Sequence, residues 1–332
     1  MYIEKIMNPR DLKKLSKEEC KILAQEIREA LIKKASLRGG HLSSNLGVVE
    51  LTIGMHYVFD LPNDKIIYDV SHQCYTHKIL TGRNYAFIDS ESYGMVSGYT
   101  NPEESEYDCF RVGHTSTSIS LACGMAKARD INGGKENIVA FIGDGSLSGG
   151  EAFEGLDFGG SEINGNFIVI LNDNQMSIAE NHGGIYSNLK KLRESNGKYE
   201  DNIFKAMGYD YYYIDDGNDI NKVISTLNQI KGIDHPTVVH ACTIKGKGYI
   251  YAEKNKEKTH WVRPFEIETG EEKNQFNGER YDRIVRDFLI KKMKHDSTVV
   301  TTIAAVPDSL AFSKEYREKI GKQFIDVGIA EE

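Results

Sequence analysis

The sequence has no excess of positive charge, no apolar run of bilayer length and no paired cysteine motif, and each absence removes a class of function. Lysine and arginine total 41 against 49 aspartates and glutamates, a formal net charge of −8. With no global basic surface, nucleic acid is not an expected partner. No apolar stretch approaches the roughly 20 residues of a spanning helix, so no membrane partner is expected either. The amino terminus opens on a charged, amphipathic segment, with no apolar signal core ahead of a small-residue cleavage site. The five cysteines, Cys20, Cys74, Cys109, Cys123 and Cys242, form no C-x-x-C pair. An odd count argues against a complete disulfide framework, which makes a reducing cytoplasm the simplest setting. Tryptophan occurs once, at Trp261, where it could pack an irregular segment down.

What is present is a pair of apolar runs, each ending in a polar triplet. Residues 137–142 have the β-branched and aromatic content of a strand buried on both faces and lead into Gly143-Asp144-Gly145. Residues 166–171 repeat the pattern and lead into Asn172-Asp173-Asn174. Gly149 and Gly150 then look like the opening of a helix, whose unpaired N–H groups would suit a diphosphate. If both strands are parallel, the two triplets meet at the carboxyl edge of one sheet, where ligands of open α/β folds bind. Asp144 and Asn174 would supply one charged and one neutral oxygen to a hard cation such as Mg²⁺, which borrows further oxygens from phosphate and water. The alternative is a plain strand-to-loop turn built from common turn formers. A dinucleotide fingerprint fits less well, because Ser148 stands at its third glycine position.

Elsewhere Ser16 and Glu19 make an S-x-x-E capping box ahead of Leu23, Ile27 and Leu31 at helical spacing. Residues 209–214 and 237–244 read as later strands, separated by a helix over 220–230. The expected fold class is therefore α/β, a doubly wound, mainly parallel sheet with helices on both faces. Residues 178–200 are polar and weakly periodic, and predict a mobile excursion over the site. Interspersed glutamate makes the lysine-rich segments around Lys245 and Lys254 read as solvated loops. His56 reads as a packed helical side chain and His77 as a helix start. His182, His235, His240 and His295 have no constellation behind them. Cys74 is expected to fill space.

The two triplets resemble the thiamine-diphosphate motif of the transketolase superfamily, and flanking segments narrow the likeness. Segments 39–47, 69–83, 113–120, 172–178, 245–249 and 324–331 are similar, in order, to the 1-deoxy-D-xylulose-5-phosphate synthase family. The resemblance implies thiamine diphosphate and Mg²⁺ as cofactors, pyruvate and D-glyceraldehyde 3-phosphate as substrates, and a homodimer. It implies Asp144, Asn174 and the Met176 carbonyl as metal ligands. It places His72, Gly113, His114, Thr115, Gly145, Ser146, Asn174, Tyr249 and Glu331 around the cofactor. His41, His72, His260 and Glu331 are its implied catalytic residues, the histidines facing substrate and Glu331 meeting the cofactor's pyrimidine ring. Residues 1–250 would form the diphosphate-binding domain, 251–280 a linker, and 281–332 the beginning of a pyrimidine-binding α/β domain. The rest of that domain and a third are expected in the same or another chain, with little turnover from this chain alone. Transketolase-like ketol transfer with another donor, and a noncatalytic cofactor-binding subunit, stay open as alternatives.

Overall fold

The computed structural model describes residues 1–274 and 278–330. Nine strands occur there: β1 (Gly40–His41), β2 (Lys65–Tyr68), β3 (Ile138–Gly143), β4 (Phe167–Asp173), β5 (Asp210–Ile214), β6 (Thr237–Cys242), β7 (Trp261–Val262), β8 (Thr301–Ile303) and β9 (Phe324–Asp326). Five of them form one sheet in the order β2-β3-β4-β6-β5, parallel throughout. The expected apolar runs are its central strands. Every residue of β4 is buried, as a parallel strand covered on both faces requires.

Alternation along β3 divides the core in two. Val139 and Phe141 face a layer that includes the helices Lys17–Arg38, Val49–Val58 and Ile220–Ile230. Ile138, Ala140 and Ile142 face the helices Ser118–Ile131 and Gly150–Glu162. Gly54 lets two helices of the first layer close on each other, since a Cβ there would sit 2.3 Å from Val223 Cγ1. The capping box forms: Ser16 Oγ accepts from the Glu19 N–H, and Glu19 accepts from the Ser16 N–H at 2.7 Å. Such a cap is worth about 1 kcal/mol.

Several expectations are corrected. The segment after Ile178 is not featureless, because residues Gly184–Glu194 form a helix that buries Ile185, Leu189 and Leu192. Those three lie at helical spacing, and burying each contributes roughly 1.5–3 kcal/mol. Trp261 pairs its backbone with His41, yet its side chain is 53% exposed and packs nothing down. His56 is wholly buried, its Nε2 3.0 Å from His77 Nδ1. His77 in turn meets Asp108 at 2.8 Å, and Asp108 holds Arg83 at 2.7 and 2.8 Å, a buried polar chain beneath the sheet's carboxyl edge.

The last part of the chain is built differently. The helix Tyr281–His295 packs beside a two-stranded parallel pair, β8-β9, and few of its side chains are buried. Among the described residues no helix is long and apolar enough to cross a membrane.

Candidate active site

The carboxyl ends of β2, β3 and β4 open into one cavity of about 200 Å³. Strained backbone borders it, with Val70 in its lining and three other residues next to lining positions. Val70, Ser71, Ser116 and Gln175 all take positive φ, which a β-branched or bulky residue adopts only when its surroundings impose it. Asp69 is one such constraint, its carboxylate accepting from the Ser116 and Ser118 N–H groups at 3.0 Å each. Gly145 is another: a Cβ there would lie 2.5 Å from Ser177 Cβ and 2.7 Å from its Cα, so the two triplet loops can close only over a glycine.

The histidines gather on one side. Ring centroids of His41 and His72 are 4.9 Å apart, those of His72 and His260 5.1 Å, and those of His41 and His260 5.5 Å. The pairing of β1 with β7, continued by the Leu42 N–H donating to the His260 carbonyl at 3.2 Å, joins segments far apart in sequence. Burial holds the His41 pKa down to about 4. Burial first, and then neighbouring rings and Lys245, keep His72 and His260 well below the usual histidine range. All three are neutral at pH 7. Among the described residues, Nδ1 of both His72 and His260 is buried with no partner, so both rings keep hydrogen-bonding capacity unspent.

The carboxylates face them across the cavity. Burial, and next the neighbouring Asp173 carboxylate, push Asp144 up to about 8. Asp173 goes the other way: burial opposes its ionisation, but hydrogen bonds and charge from His240 and Arg193 outweigh that and lower it. A divalent cation on Asp144 would reverse its upward shift, since the ion's charge outweighs the desolvation. Asp173, His240 and Cys242 offer ligand atoms within 4.8 Å of one another. That group is already closed, for Arg193 pairs with Asp173, Tyr211 with His240 at 2.7 Å and Tyr213 with Cys242 at 3.2 Å.

Of the residues singled out in the sequence, His41, His72, His260, Gly113, Thr115, Asp144, Gly145, Ser146, Asn174 and Met176 line this cavity. His114 is exposed and outside the lining, its Nδ1 2.8 Å from the Thr115 carbonyl. Tyr249 also lies elsewhere: its hydroxyl donates to the Ile267 carbonyl at 2.9 Å and it packs on Tyr251 and Phe265. Glu331 lies outside the described residues, although Ile329, two positions earlier, lines the cavity.

Lys245, read from the sequence as part of a solvated loop and given no role of its own, is instead buried, lines the cavity and donates to the Ser177 carbonyl. Burial lowers its pKa to about 8, with the Asp144 carboxylate pulling the other way. His240 was likewise left without a role, and its Nε2 contacts Asp173 at 2.8 Å. Both were visible only as single residues in the sequence, because their partners come from other strands.

The donor set fits a hard cation and a diphosphate. Asp144 and Asn174 offer side-chain oxygens, Met176 a carbonyl, Lys245 a buried positive charge, and Gly143 and Gly113 open space where side chains would otherwise stand.

Comparison with known proteins agrees with this arrangement. Residues 3–202 match the family model described as 1-deoxy-D-xylulose-5-phosphate synthase. Residues 110–298 match the model described as transketolase, thiamine diphosphate binding domain. Curated proteins named 1-deoxy-D-xylulose-5-phosphate synthase from Natranaerobius thermophilus and Alkaliphilus oremlandii are 42% and 40% identical, over 97% and 100% of this chain. The chain spans only 57% and 58% of their lengths. Among solved structures, the transketolases of Campylobacter jejuni and Leishmania mexicana superpose with TM-scores of 0.60 and 0.59 at 17% identity. They cover 85% and 92% of this chain, which covers 48% of each of them, and they share its fold. By its sequence and its matched length, the chain belongs to the 1-deoxy-D-xylulose-5-phosphate synthase family.

Proposed function

We propose that this chain is the diphosphate-binding part of an enzyme that condenses pyruvate with D-glyceraldehyde 3-phosphate, releasing CO₂ and forming 1-deoxy-D-xylulose 5-phosphate. The observation that carries the reading is the facing of Asp144 and Asn174, at the ends of adjacent strands, by three neutral histidines around one cavity. Asp144, Asn174 and the Met176 carbonyl would hold Mg²⁺, and the cation would tie down the diphosphate of thiamine diphosphate. When bound, that cofactor supplies a carbanion that adds to the pyruvate carbonyl and accepts the electrons left by decarboxylation.

This chain's own residues bind, orient and move protons. Lys245 balances diphosphate charge from inside the wall. Neutral His41, His72 and His260 can donate to oxygens that gain negative charge and accept protons back, which a permanently charged imidazolium could not do. Partial burial of the three rings limits the water that can enter that exchange. The family resemblance assigns Glu331 to the cofactor's pyrimidine, and further segments, in this chain or a second one, would complete the site in a homodimer. The chain alone therefore turns over little.

The test is calorimetric titration of thiamine diphosphate with and without Mg²⁺, followed by product analysis of the reconstituted enzyme. Mg²⁺-dependent binding that Asp144→Asn abolishes, and a pentulose phosphate formed from pyruvate, are expected. Product from ketose phosphates but none from pyruvate would replace this reading by ketol transfer. Cofactor binding without any turnover after reconstitution would leave a binding subunit.

A further inference from the structure

The three histidine segments converge on one short helix, Ser43–Gly47, all five of whose residues are buried. At its start the Leu42 and Ser43 N–H groups donate to the His260 and Thr259 carbonyls at 3.2 and 3.0 Å, and the Ser43 carbonyl accepts from the Gly246 N–H at 2.8 Å. Backbone bonds thus tie the His41 segment to His260 and to the turn after Lys245. The His72 segment is reached by a side chain instead.

That side chain is Asn45, which has no exposed surface. Its Nδ2 donates to the His72 carbonyl at 2.8 Å and to the His41 carbonyl at 2.9 Å, while its Oδ1 accepts from the Tyr75 N–H at 3.0 Å. An amide NH₂ carries two hydrogens, and each is spent here on a different histidine-bearing segment. The amide has one orientation only: turned over, its oxygen would face two carbonyls and its NH₂ an N–H.

The bond to His72 falls where the chain needs holding. Val70 and Ser71, the two residues before it, take φ of 56° and 67°. Such backbone persists where its surroundings over-determine it. Asp69 fastens the near side of that pair through the Ser116 and Ser118 N–H groups, and Asn45 fastens the far side. Since His72 Nδ1 has no partner among the described residues, that nitrogen does not place the ring; backbone and packing do. We propose that Asn45 is the positioning residue of the histidine cluster, its amide setting the separation of the His41 and His72 rings. Without it, two buried carbonyls would lose the donor that joins them. The consequence for turnover rests on the reaction proposed above, in which both rings exchange protons with one substrate. A misplacement of about 1 Å can cost roughly a hundredfold in such a step.

The cluster supplies its own control. Ring centroids of His41 and His72 lie 4.9 Å apart across the amide, whereas those of His41 and His260 lie 5.5 Å apart across a backbone pairing that Asn45 does not touch. Nuclear Overhauser contacts between ring protons are recorded in the histidine-labelled 332-residue chain. Asn45→Ala, and Asn45→Ser, whose single hydroxyl hydrogen can satisfy one carbonyl at most, should lose the His41–His72 contact and keep the His41–His260 contact. In the wild type, both Asn45 NH₂ protons should exchange with solvent at least about tenfold more slowly than those of an exposed asparagine. In the reconstituted enzyme, Asn45→Ala should lower kcat at least about tenfold with thiamine diphosphate affinity within about twofold of the wild type, because Asn45 lies outside the cavity's lining. A His41–His72 contact that survives in either variant overturns the proposal. Loss of both contacts overturns it too, by making Asn45 a general support of the fold. An NH₂ pair that exchanges freely in the wild type overturns it with no variant having to fold. A wild type that forms no product from pyruvate, yet shows the expected pattern of contacts, sinks the reaction and not the placement of the rings.

Discussion

Residues 1–250 and residues 281–330 are both α/β, but only the first encloses its apolar side chains. In the first, five strands lie between two helical layers, and Phe141, Ile170 and Val239 have no exposed surface. In the second, Tyr281, Ile284, Val285 and Phe288 form one stripe of a helix and are 89%, 49%, 54% and 59% exposed. Val300, Leu310, Ile325 and Val327 extend the exposed apolar surface. A sheet of two short strands has too little area to cover a helix, so this unit presents an exposed apolar face. The lesson is that secondary structure can be written into a segment whose tertiary structure is not.

The difference should show most sharply in paired substitutions. Ile170→Ala removes a side chain packed between two layers, and should cost about 2–5 kcal/mol through lost transfer energy and the cavity left behind. Ile284→Ala and Phe288→Ala should each cost under about 0.5 kcal/mol in this chain, because no packing is lost. Urea denaturation followed by tryptophan-independent circular dichroism would measure both. If Phe288→Ala proves as costly as Ile170→Ala, the stripe is already covered in solution and the contrast fails. In a reconstituted enzyme, the same Phe288 substitution should weaken assembly.

A buried charge sharpens the same contrast. Asp108 accepts from Arg83 twice, from His77 and from the Asn101 N–H at 2.7 Å, with no side-chain exposure. Asp108→Ala strips Arg83 of its two short carboxylate bonds and leaves it inside the fold with only Glu104 at 3.5 Å as a charged partner, so a loss of about 3 kcal/mol is expected. In the second unit, Lys319 and Glu315 are 67% and 74% exposed. Lys319→Ala should leave the denaturation midpoint unchanged in the same experiment, because solvent screens an exposed pair.

Acidification should also act through the first unit. His41, His72 and His260 have pKa values depressed in the folded state, His41 to about 4. Below the unfolded value near 6.5, the unfolded chain therefore binds protons that the folded chain refuses. Stability then falls as pH drops from about 6.5 towards 4, and is recovered as pH rises. Melting temperatures recorded across that range should decline less steeply for a His41→Asn variant than for the wild type. Equal slopes would mean that this cluster is not what acid attacks.

How much of this was legible in the sequence depended on distance along the chain. The central strands were, because the five-residue apolar runs 138–142 and 167–171, rich in β-branched and aromatic residues, can bury on both faces. So was the helix beginning after Ser16, because its cap is a local bond. The edge strand Lys65–Tyr68 was not, being only 4 residues long and bounded by polar turns. The helix Gly184–Glu194 was hidden by its glycine and asparagines, although Ile185, Leu189 and Leu192 carried its period. In the site, Asp144 and Asn174 could be paired because two successive strands end together. Lys245 and the chain from His56 to Arg83 could not, since each gains its meaning from residues brought in by other elements.

The most local effect expected is at the tie between the two units, where the comparison is most easily broken. Arg317 reaches from the helix Lys314–Ile320 to Glu257 at 2.9 Å and Glu180 at 3.1 Å. Its side chain is 10% exposed, but Glu180 is 45% exposed, so solvent screens that arm and the whole is worth about 1 kcal/mol. Arg317→Ala should therefore leave the unfolding of the main sheet nearly unchanged while lowering hydrogen-exchange protection of residues 301–326, which have little else holding them. Ser148 Oγ would still donate to the Ile329 carbonyl at 3.2 Å, so the chain end should keep its place by the cavity when the helix loosens. Protection lost equally from β4 and from β8 would instead show that the two regions unfold as one, and that the exposed stripe belongs to a unit already stabilised through its neighbour.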